Sequence, residues 1–495
     1  MTTSCADKPE YIMPHSNTLQ ILQQNMMDAI TGSDAFFNNL AKLQTMYQQG
    51  NVDAGLFLAW TYTQRGSITG FTQKSFTICQ QIAEQTNHPR ALEWMADLLL
   101  WGVGIEKDEN QAFKLYENLV NSGHLPLTLL AYLHSQGIGT KKDEIQASTL
   151  LLKAAAQGDT LALILLAHRY KIGLGLPVNG VLARAYATLA SKRKFPGADQ
   201  KLHELKVRFA SIKQSLVDKT VAALIKNIEG LDDKVQTLMR SIAPDNPVFA
   251  TNFMQLLTMS LDELGIKDLS CNPEIRGYKI TSVKSIPLTI NTISDSPVLK
   301  TVPNFASFEE CQYLIAQSQG VLKSTAEQLK HKNEISEVDA FSGDSAVLAG
   351  TQTSPVNRTI VQRFAKICKI PVAHFEPVSV LKYSKGHEYA SHTDAFDENR
   401  IKNHEKIGDF GGQRISTNLI YLLPATKGGH TYYEAIDYTV IGDVGTAVIH
   451  FNARKDFTAD SRSQHIGTKI QEGEKWLMRT ASRRFALYGN NKTPL

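Results

Sequence analysis

The sequence predicts a multidomain protein of mixed α and β structure, in which an N-terminal α-solenoid precedes a mostly antiparallel β domain. Three observations support this fold class. A helical repeat recurs through the N-terminal half with spacings of 35 and 36 residues. From about residue 266 the apolar residues follow a period of two, and Val, Ile, Thr and Tyr are enriched. The 495 residues, 42% of them hydrophobic, are enough for about three folded domains.

Composition excludes several classes of protein. The 52 basic and 48 acidic residues leave a net charge of +4, which is too weak to favour nucleic acid or a membrane surface as a partner. The longest apolar run, Leu161–Ala167, is far shorter than the ~18 residues that span a bilayer. The first residues have no basic start and no apolar core typical of a secretory signal. The five cysteines are scattered without CxxC spacing. We therefore expect a reduced, cytoplasmic protein.

Each copy of the repeat carries two glycines, a capping Asp or Asn and a small alanine at fixed offsets. Glycine permits positive φ where a helix ends, the polar residue satisfies free N–H groups where the next helix begins, and alanine allows close helix packing. One such unit cannot bury its own apolar face, so the units are expected to stack into a solenoid. The three sets are Gly102, Gly104, Asp108 and Ala112; Gly137, Gly139, Asp143 and Ala147; and Gly173, Gly175, Asn179 and Ala183.

This pattern resembles Sel1-like repeats, which are related to tetratricopeptide repeats. A degenerate earlier copy is expected from Gly50, where Ala59, Tyr62 and Gly66 take the expected places. We predict an N-terminal helical or flexible segment at 1–49, the repeats at 50–198, a helical connector at 199–265 and a β-rich domain at 266–495. The solenoid is either a scaffold or a surface for a partner, and the residues do not decide between the two.

Within the connector, two runs have helical periodicity, one through Leu205 to Leu216 and one through Leu224 to Leu238. In the last domain, helices are predicted at 307–319, with Ser307 as the N-cap, and at 357–369. Strands are predicted at 378–383, 415–423, 446–451 and 475–488.

One spacing in the β domain indicates chemistry. His392 and Asp394 stand at i and i+2, so a strand would project both side chains from one face. His465 is the best candidate for a third ligand, and two histidines with one carboxylate form the facial triad of non-haem Fe(II) oxygenases. Taken alone, the motif is a weak signal, and a surface turn that carries a solvated acid is the more common explanation.

Five blocks in order change that interpretation. They read VPNFASFEECQYLI, LKYSKGHEYASHTD, GGQRISTNLIYLL, ATKGGHTYYE and DSRSQHIGTKIQEGEKW. Between about residues 298 and 488, this order resembles the catalytic domain of prolyl 4-hydroxylases, within the 2-oxoglutarate- and Fe(II)-dependent dioxygenases. The resemblance implies a double-stranded β-helix, or jelly roll, with supporting helices.

The resemblance also implies roles for matched residues. His392, Asp394 and His465 would bind Fe(II), and Lys475 would bind the distal carboxylate of 2-oxoglutarate. Tyr383 would hydrogen-bond the same carboxylate, and Thr417 would line that pocket. Tyr389 would lie near the substrate mouth. Ascorbate dependence is a further expectation from the family. A second shell must orient the histidines, and the sequence does not identify it.

Departures from the family pattern keep other functions open. Ala481 stands where a second tryptophan is usual, Gly442 where proline is common, and His430 where glutamate is common. The predicted function is hydroxylation of a side chain, with peptidyl proline in a protein recruited by the solenoid favoured. The alternatives are an oxygenase acting on a free amino acid or small molecule, and a non-catalytic adaptor with a degenerate oxygenase fold. A zinc hydrolase could use the same three ligands, but Lys475 and Tyr383 would then have no function. His450 is interpreted as a packed strand residue.

Overall fold

The computed structural model describes residues 19–22, 25, 34–64, 70–102, 105–239, 288–324, 341–348, 354–406 and 411–487. It forms two compact units, one from Met1–Asp7 with Tyr116–Ile286 and one from Lys8–Leu115 with Pro287–Leu495. The predicted domain boundaries stay predictions, and much of the stretch around residue 266 lies outside the described residues. Among the described helices, none combines the length and apolarity that crossing a membrane requires.

The N-terminal region is helical. Its described helices are α1 (Asp34–Gln48), α2 (Val52–Gln64), α3 (Phe71–Thr86), α4 (Pro89–Trp101), α5 (Glu109–Asn121), α6 (Leu127–Gln136), α7 (Glu144–Ala156), α8 (Thr160–Ile172), α9 (Gly180–Lys192), α10 (Ala198–Arg208) and α11 (Gln214–Met239).

The residues between the repeat helices lie where the pattern predicts them. Gly102, Gly137 and Gly173 end α4, α6 and α8 in the left-handed conformation, with φ of 67°, 72° and 76°. The side chains of Asp143 and Asn179 accept hydrogen bonds from backbone N–H groups at the starts of α7 and α9. The repeat alanines are fully buried, as close helix packing requires. Gly104 lies outside the described residues.

The first amphipathic run of the connector is not one helix. α10 ends at Arg208 and α11 begins at Gln214. Arg184 donates hydrogen bonds to the carbonyl oxygens of Phe209 (3.3 Å) and Ile212 (2.8 Å). A side chain from α9 thus satisfies carbonyls that a continuous helix would have paired itself, which periodicity cannot reveal.

The C-terminal region contains fourteen described strands and three α-helices. The helices are α12 (Phe308–Gln319), α13 (Pro355–Cys368) and α14 (Glu398–Lys406). The strands are β1 (Asn291–Asp295), β2 (Val298–Val302), β3 (Lys323–Ser324), β4 (Asp344–Leu348), β5 (Val378–Tyr383), β6 (Tyr389–His392), β7 (Arg414–Leu423), β8 (Lys427–Gly428), β9 (Thr431–Tyr433), β10 (Tyr438–Val440), β11 (Ala447–Phe451), β12 (His465–Gly467), β13 (Ile470–Glu472) and β14 (Lys475–Arg483).

Twelve of these strands form two facing antiparallel layers, the double-stranded β-helix that the resemblance implies, and β8 pairs with β13 separately. The larger sheet has the order β1-β2-β11-β7-β14-β5-β4-β3, and the smaller has β10-β9-β12-β6. A buried apolar cluster joins residues of the larger sheet, such as Leu419 and Leu477, to residues facing them, such as Tyr433 and Val440. β14 stops at Arg483, short of the predicted 488, because its neighbour β7 begins at the paired residue Arg414.

The helix α12 packs on β4, β5 and β7 of the larger sheet, and α13 packs on α12. Ser307 caps α12 in a reciprocal capping box with Glu310, as predicted for its N-terminus. α13 begins two residues earlier than predicted, with Ser354 as its cap. Within the same compact unit, Arg358 of α13 lies 3.6 Å from the carboxylate of Asp97 on α4 and 4.2 Å from the ring centre of Trp101. The first repeat helix is therefore packed against the β region by a buried arginine.

Candidate metal centre

Pairing of β6 with β12 brings the predicted ligands together. His392 and His465 are opposite each other in this antiparallel register, and Asp394 follows His392 by two residues. One ligand atom from each of the three residues lies within 4.8 Å of the other two. Residues 73 positions apart in the chain thus converge because the two strands are neighbours in the smaller sheet.

Backbone carbonyls set the orientation of both imidazoles. The Nδ1 atom of His392 lies 2.8 Å from the carbonyl oxygen of Ala390, and Nδ1 of His465 lies 3.0 Å from that of Ser463. A carbonyl can only accept, so each Nδ1 must carry the hydrogen and each Nε2 keeps its lone pair for a metal. Burial lowers the pKa of both histidines, and that of His465 by more. Both are therefore neutral near pH 7, as metal ligation requires.

Asp394 is the buried anion of the centre. Its Oδ2 atom lies 3.2 Å from Nε2 of His450, and its Oδ1 atom lies 3.4 Å from the guanidinium of Arg479. Burial alone would raise the pKa of Asp394, but Arg479 and the hydrogen bond from His450 hold it well below its usual range. The carboxylate is therefore ionised and ready to bind a cation.

Lys475 is a buried cation at the start of β14. Only 2% of the residue is exposed, and burial lowers its pKa to about 7. Its Nζ atom lies 5.4 Å from the ring centre of Tyr383 and 5.0 Å from that of Tyr421. Among the described residues, no carboxylate forms an ion pair with it. A buried ammonium surrounded by aromatic rings is suited to bind an anionic ligand.

Three further predicted residues take different positions. Tyr383 pairs in register with Lys475, and burial raises its pKa, so its hydroxyl stays a hydrogen-bond donor. Thr417 is buried opposite His450, and its hydroxyl accepts a hydrogen bond from Asn452 at 2.9 Å. Tyr389 is partly exposed and stacks on His392 with ring centres 3.6 Å apart. The structure thus brings Tyr383 beside the ammonium and Tyr389 beside a ligand, and it places Thr417 next to His450.

Sequence reasoning missed His450, Tyr433 and Arg479. His450 is a packed strand residue, as interpreted, but it also bonds Asp394. A polar ring in the otherwise apolar strand TAVIHF was the available signal, because a buried imidazole needs partners. Arg479 stands two and four residues from Leu477 and Lys475 in one strand, on the same face. Residues at every second position of a strand share a face, so this spacing could have identified Arg479 from the sequence.

The structure also shows the surroundings of Ala481, which stands where the family usually has a second tryptophan. The residue is fully buried in β14 and lies opposite Thr417 of β7. Its carbonyl accepts a hydrogen bond from the backbone N–H of Glu376 at 2.8 Å. The methyl side chain at this position is therefore enclosed within the fold.

Comparisons with known proteins agree with both halves of this description. The family model for the Sel1 repeat matches residues 89–124, 127–159 and 160–195. Probable prolyl 4-hydroxylase 3 of Arabidopsis thaliana is 32% identical over 195 residues, 35% of this chain and 64% of that protein. Prolyl 4-hydroxylase 1 of the same plant is 32% identical over 201 residues, 37% of this chain and 68% of the relative. The match therefore spans just under two thirds of the first relative and just over two thirds of the second.

Among solved structures, the viral collagen prolyl hydroxylase of Paramecium Bursaria Chlorella virus-1, in a 2OG complex, is similar to this chain. It is 18% identical with a TM-score of 0.29, and the alignment covers 39% of this chain and 98% of that one. The repeats are Sel1 repeats, and by its identity to the plant enzymes the chain belongs to the prolyl 4-hydroxylase family of 2-oxoglutarate- and Fe(II)-dependent dioxygenases.

Proposed function

We propose that the chain hydroxylates a side chain at the expense of 2-oxoglutarate and oxygen, with peptidyl proline as the favoured substrate. The observation that carries the proposal is the convergence of the His392, Asp394 and His465 ligand atoms within 4.8 Å. Two imidazoles and one carboxylate suit Fe(II) and leave coordination positions for other ligands. With Fe(II) and 2-oxoglutarate bound, oxygen would be the oxidant: one of its atoms would enter the substrate C–H bond, and the other would enter succinate as 2-oxoglutarate loses CO2.

Each residue of the site has a defined task in this proposal. His392 and His465 offer their Nε2 atoms to the metal because their Nδ1 hydrogens are engaged by backbone carbonyls. Asp394 contributes the only negative charge among the three. The donor set therefore neutralises part of the charge of a divalent ion and keeps it at one place in the fold.

Lys475 would anchor the remote carboxylate of 2-oxoglutarate. A carboxylate beside this ammonium replaces the solvation that burial removes, so binding would raise the pKa of Lys475 from about 7. The Tyr383 hydroxyl would donate to the same carboxylate. The apolar cluster around these two residues excludes water and strengthens the charge–charge contact.

The choice of proline rests on the relatives, several of which are named prolyl 4-hydroxylases. The Sel1 repeats favour a protein substrate, because a solenoid offers an extended surface that a small molecule does not need. The proposed setting is the cytoplasm, and ascorbate would act as a reductant. A free amino acid is the second candidate substrate. It is favoured by Ala481, which is opposite Thr417 and is much smaller than the tryptophan usual at this position in the family.

The test uses the full chain with Fe(II), 2-oxoglutarate and either proline-rich peptides or free amino acids. Peptides heavier by one oxygen atom, with succinate released in equal amount, are the expected result. Asp394→Ala should abolish both signals. Succinate released only with a free amino acid would favour the second candidate. No oxidised product with any substrate, in a protein that binds Fe(II), would contradict the proposal.

Recruitment by the repeats has its own test. A protein that contains the modified proline should be turned over with a higher kcat/KM than the same proline in a short peptide. Equal values would contradict a role of the solenoid in recognition. The full chain is needed, because residues 8–115 belong to the same compact unit as the β region.

A further inference from the structure

The geometry points to His450 as a positioning residue that, together with Tyr433, fixes the Asp394 carboxylate for metal binding. This inference rests on the proposed function for its purpose, and it adds to that function two residues outside the predicted ligand set. Three elements contribute. Tyr433 ends β9, His450 lies in β11, and Asp394 follows β6. The chain of contacts therefore links the larger sheet to the smaller one.

The distances define a continuous relay. The Tyr433 hydroxyl lies 2.8 Å from Nδ1 of His450, and Nε2 of His450 lies 3.2 Å from Oδ2 of Asp394. All three residues are at most 4% exposed. Water does not compete for these groups, so each hydrogen bond is stronger and more directional than on a surface.

The direction of each bond follows from chemistry. A carboxylate oxygen accepts, so Nε2 of His450, 3.2 Å from Oδ2 of Asp394, carries the hydrogen and donates it. With that hydrogen on Nε2, Nδ1 can accept, and the Tyr433 hydroxyl 2.8 Å away donates to it. Burial raises the pKa of Tyr433, which keeps that hydroxyl protonated. The relay thus selects one tautomer of His450.

The relay acts on orientation. A carboxylate that ligates a metal needs its plane and rotamer held, and residues that hydrogen-bond to ligands commonly change metal affinity by about 10–100-fold. His450 holds Oδ2, while Arg479 reaches Oδ1 at a longer 3.4 Å. Without His450, the described hydrogen bonds hold the Asp394 carboxylate at Oδ1 only, through the longer contact with Arg479.

Simple packing is the competing explanation. The His450 ring lies 4.6 Å from the His465 ring, and the Tyr433 ring lies 5.4 Å from both. Phe at either position would conserve most of this packing but remove the hydrogen bonds. His450→Gln conserves a donor where Nε2 stands. The three variants therefore separate packing from positioning.

The experiment measures Co(II) binding to the full chain by its visible absorption and by titration calorimetry. His450→Phe should weaken affinity about 10–100-fold and alter the Co(II) spectrum at saturation, while His450→Gln should stay within about threefold of wild type. Tyr433→Phe should cause an intermediate loss. Wild-type affinity and spectrum in His450→Phe would overturn the inference, and so would an equal loss in His450→Phe and His450→Gln.

A second measurement needs no metal. Nitrogen NMR of the histidine rings in the metal-free chain should show that the hydrogen of His450 is on Nε2. In Tyr433→Phe, the chemical shift of Nδ1 should change because its hydrogen-bond donor is lost. A hydrogen on Nδ1 would overturn the relay. If the wild type bound no divalent metal, the proposed function would fail, and this measurement would still decide the relay.

Discussion

The two ends of β14 each bury a cation, but they treat it differently. Lys475 begins the strand and Arg483 ends it, and both are at most 3% exposed. Arg483 donates to the carbonyl of Gly412 at 2.9 Å and lies 3.2 Å from the carboxylate of Glu376. Lys475 has aromatic rings around it and, within the described part of the chain, no carboxylate partner.

The difference is that between a structural charge, Arg483, and the charge that we propose binds an anion, Lys475. Burying a charge is costly unless it is paired, so a fold that needs only stability provides the partner itself. Glu376 does this at one end, where Arg414 contacts it with two nitrogens at 2.8 and 3.0 Å. Burial alone would raise the pKa of Glu376, but Arg414 and Arg483 lower it. At the other end, the described part of the chain offers Lys475 no carboxylate, and the partner that we propose is the carboxylate of 2-oxoglutarate.

Removing the internal partner should have the largest effect. Glu376→Gln would remove the carboxylate charge that the buried guanidinium groups of Arg414 and Arg483 contact. We expect the free energy of unfolding to fall by about 3–5 kcal/mol. The shift of the urea midpoint measures it, with the exposed Glu388→Gln as the control. Unchanged stability in Glu376→Gln would show that the two ends of β14 do not differ as described.

The complementary change at the other end should remove function and preserve folding. Lys475→Met deletes the ammonium, so 2-oxoglutarate-dependent succinate release should fall by about 100-fold or more. Lys469→Met, an exposed lysine near the same strand, should retain wild-type turnover. Wild-type turnover in Lys475→Met would contradict the proposed carboxylate anchor.

Affinity for 2-oxoglutarate should depend on pH through the same residue. The pKa of Lys475 is about 7, so above pH 7 the free protein must take up a proton to present an ammonium. The dissociation constant is then expected to rise by up to about tenfold per pH unit above pH 7. Calorimetry in two buffers of different ionisation enthalpy measures the proton uptake. Lys475→Arg remains charged and should flatten the profile, and an unchanged slope in this variant would assign the dependence to another group.

The two ends of β14 also differ in how well the sequence alone predicts them. The predicted ligands His392, Asp394 and His465 and the predicted anchor Lys475 lie in local motifs that also match a family, so the sequence alone could point to them. Glu376 lies outside every motif, and its partners are 38 and 107 residues away. His450 was classed with its apolar strand because its hydrogen bonds reach other strands. Contacts that depend on which strands become neighbours have no local signature.

The helical half shows the same limit. Helix ends at Gly137 and Gly173 follow from local backbone chemistry and were predicted. The break between α10 and α11 depends on Arg184, about 25 residues earlier, and was not. The buried pair of Arg358 with Asp97 joins regions that the predicted boundaries assign to separate domains. Local patterns therefore locate elements, and long-range ion pairs decide how those elements are held.

The smallest expected effect is a gain in stability that depends on pH. In wild type the folded pKa of Lys475, about 7, lies below the ordinary value of 10.5, so between these values the unfolded chain binds more protons. Stability from this residue therefore rises with pH across that interval, and the full cost of burying the ammonium applies below pH 7. Lys475→Met has no such cost. Its melting temperature should exceed that of wild type by about 5 °C at pH 7, and the difference in melting temperature should disappear towards pH 10.

Saturating 2-oxoglutarate with Mn(II) should make wild type the more stable of the two at pH 7, because the ligand stabilises the chain that keeps its ammonium. A Lys475→Met variant less stable than wild type at pH 7 without ligand would mean that the lysine is already paired inside the fold, like Arg483.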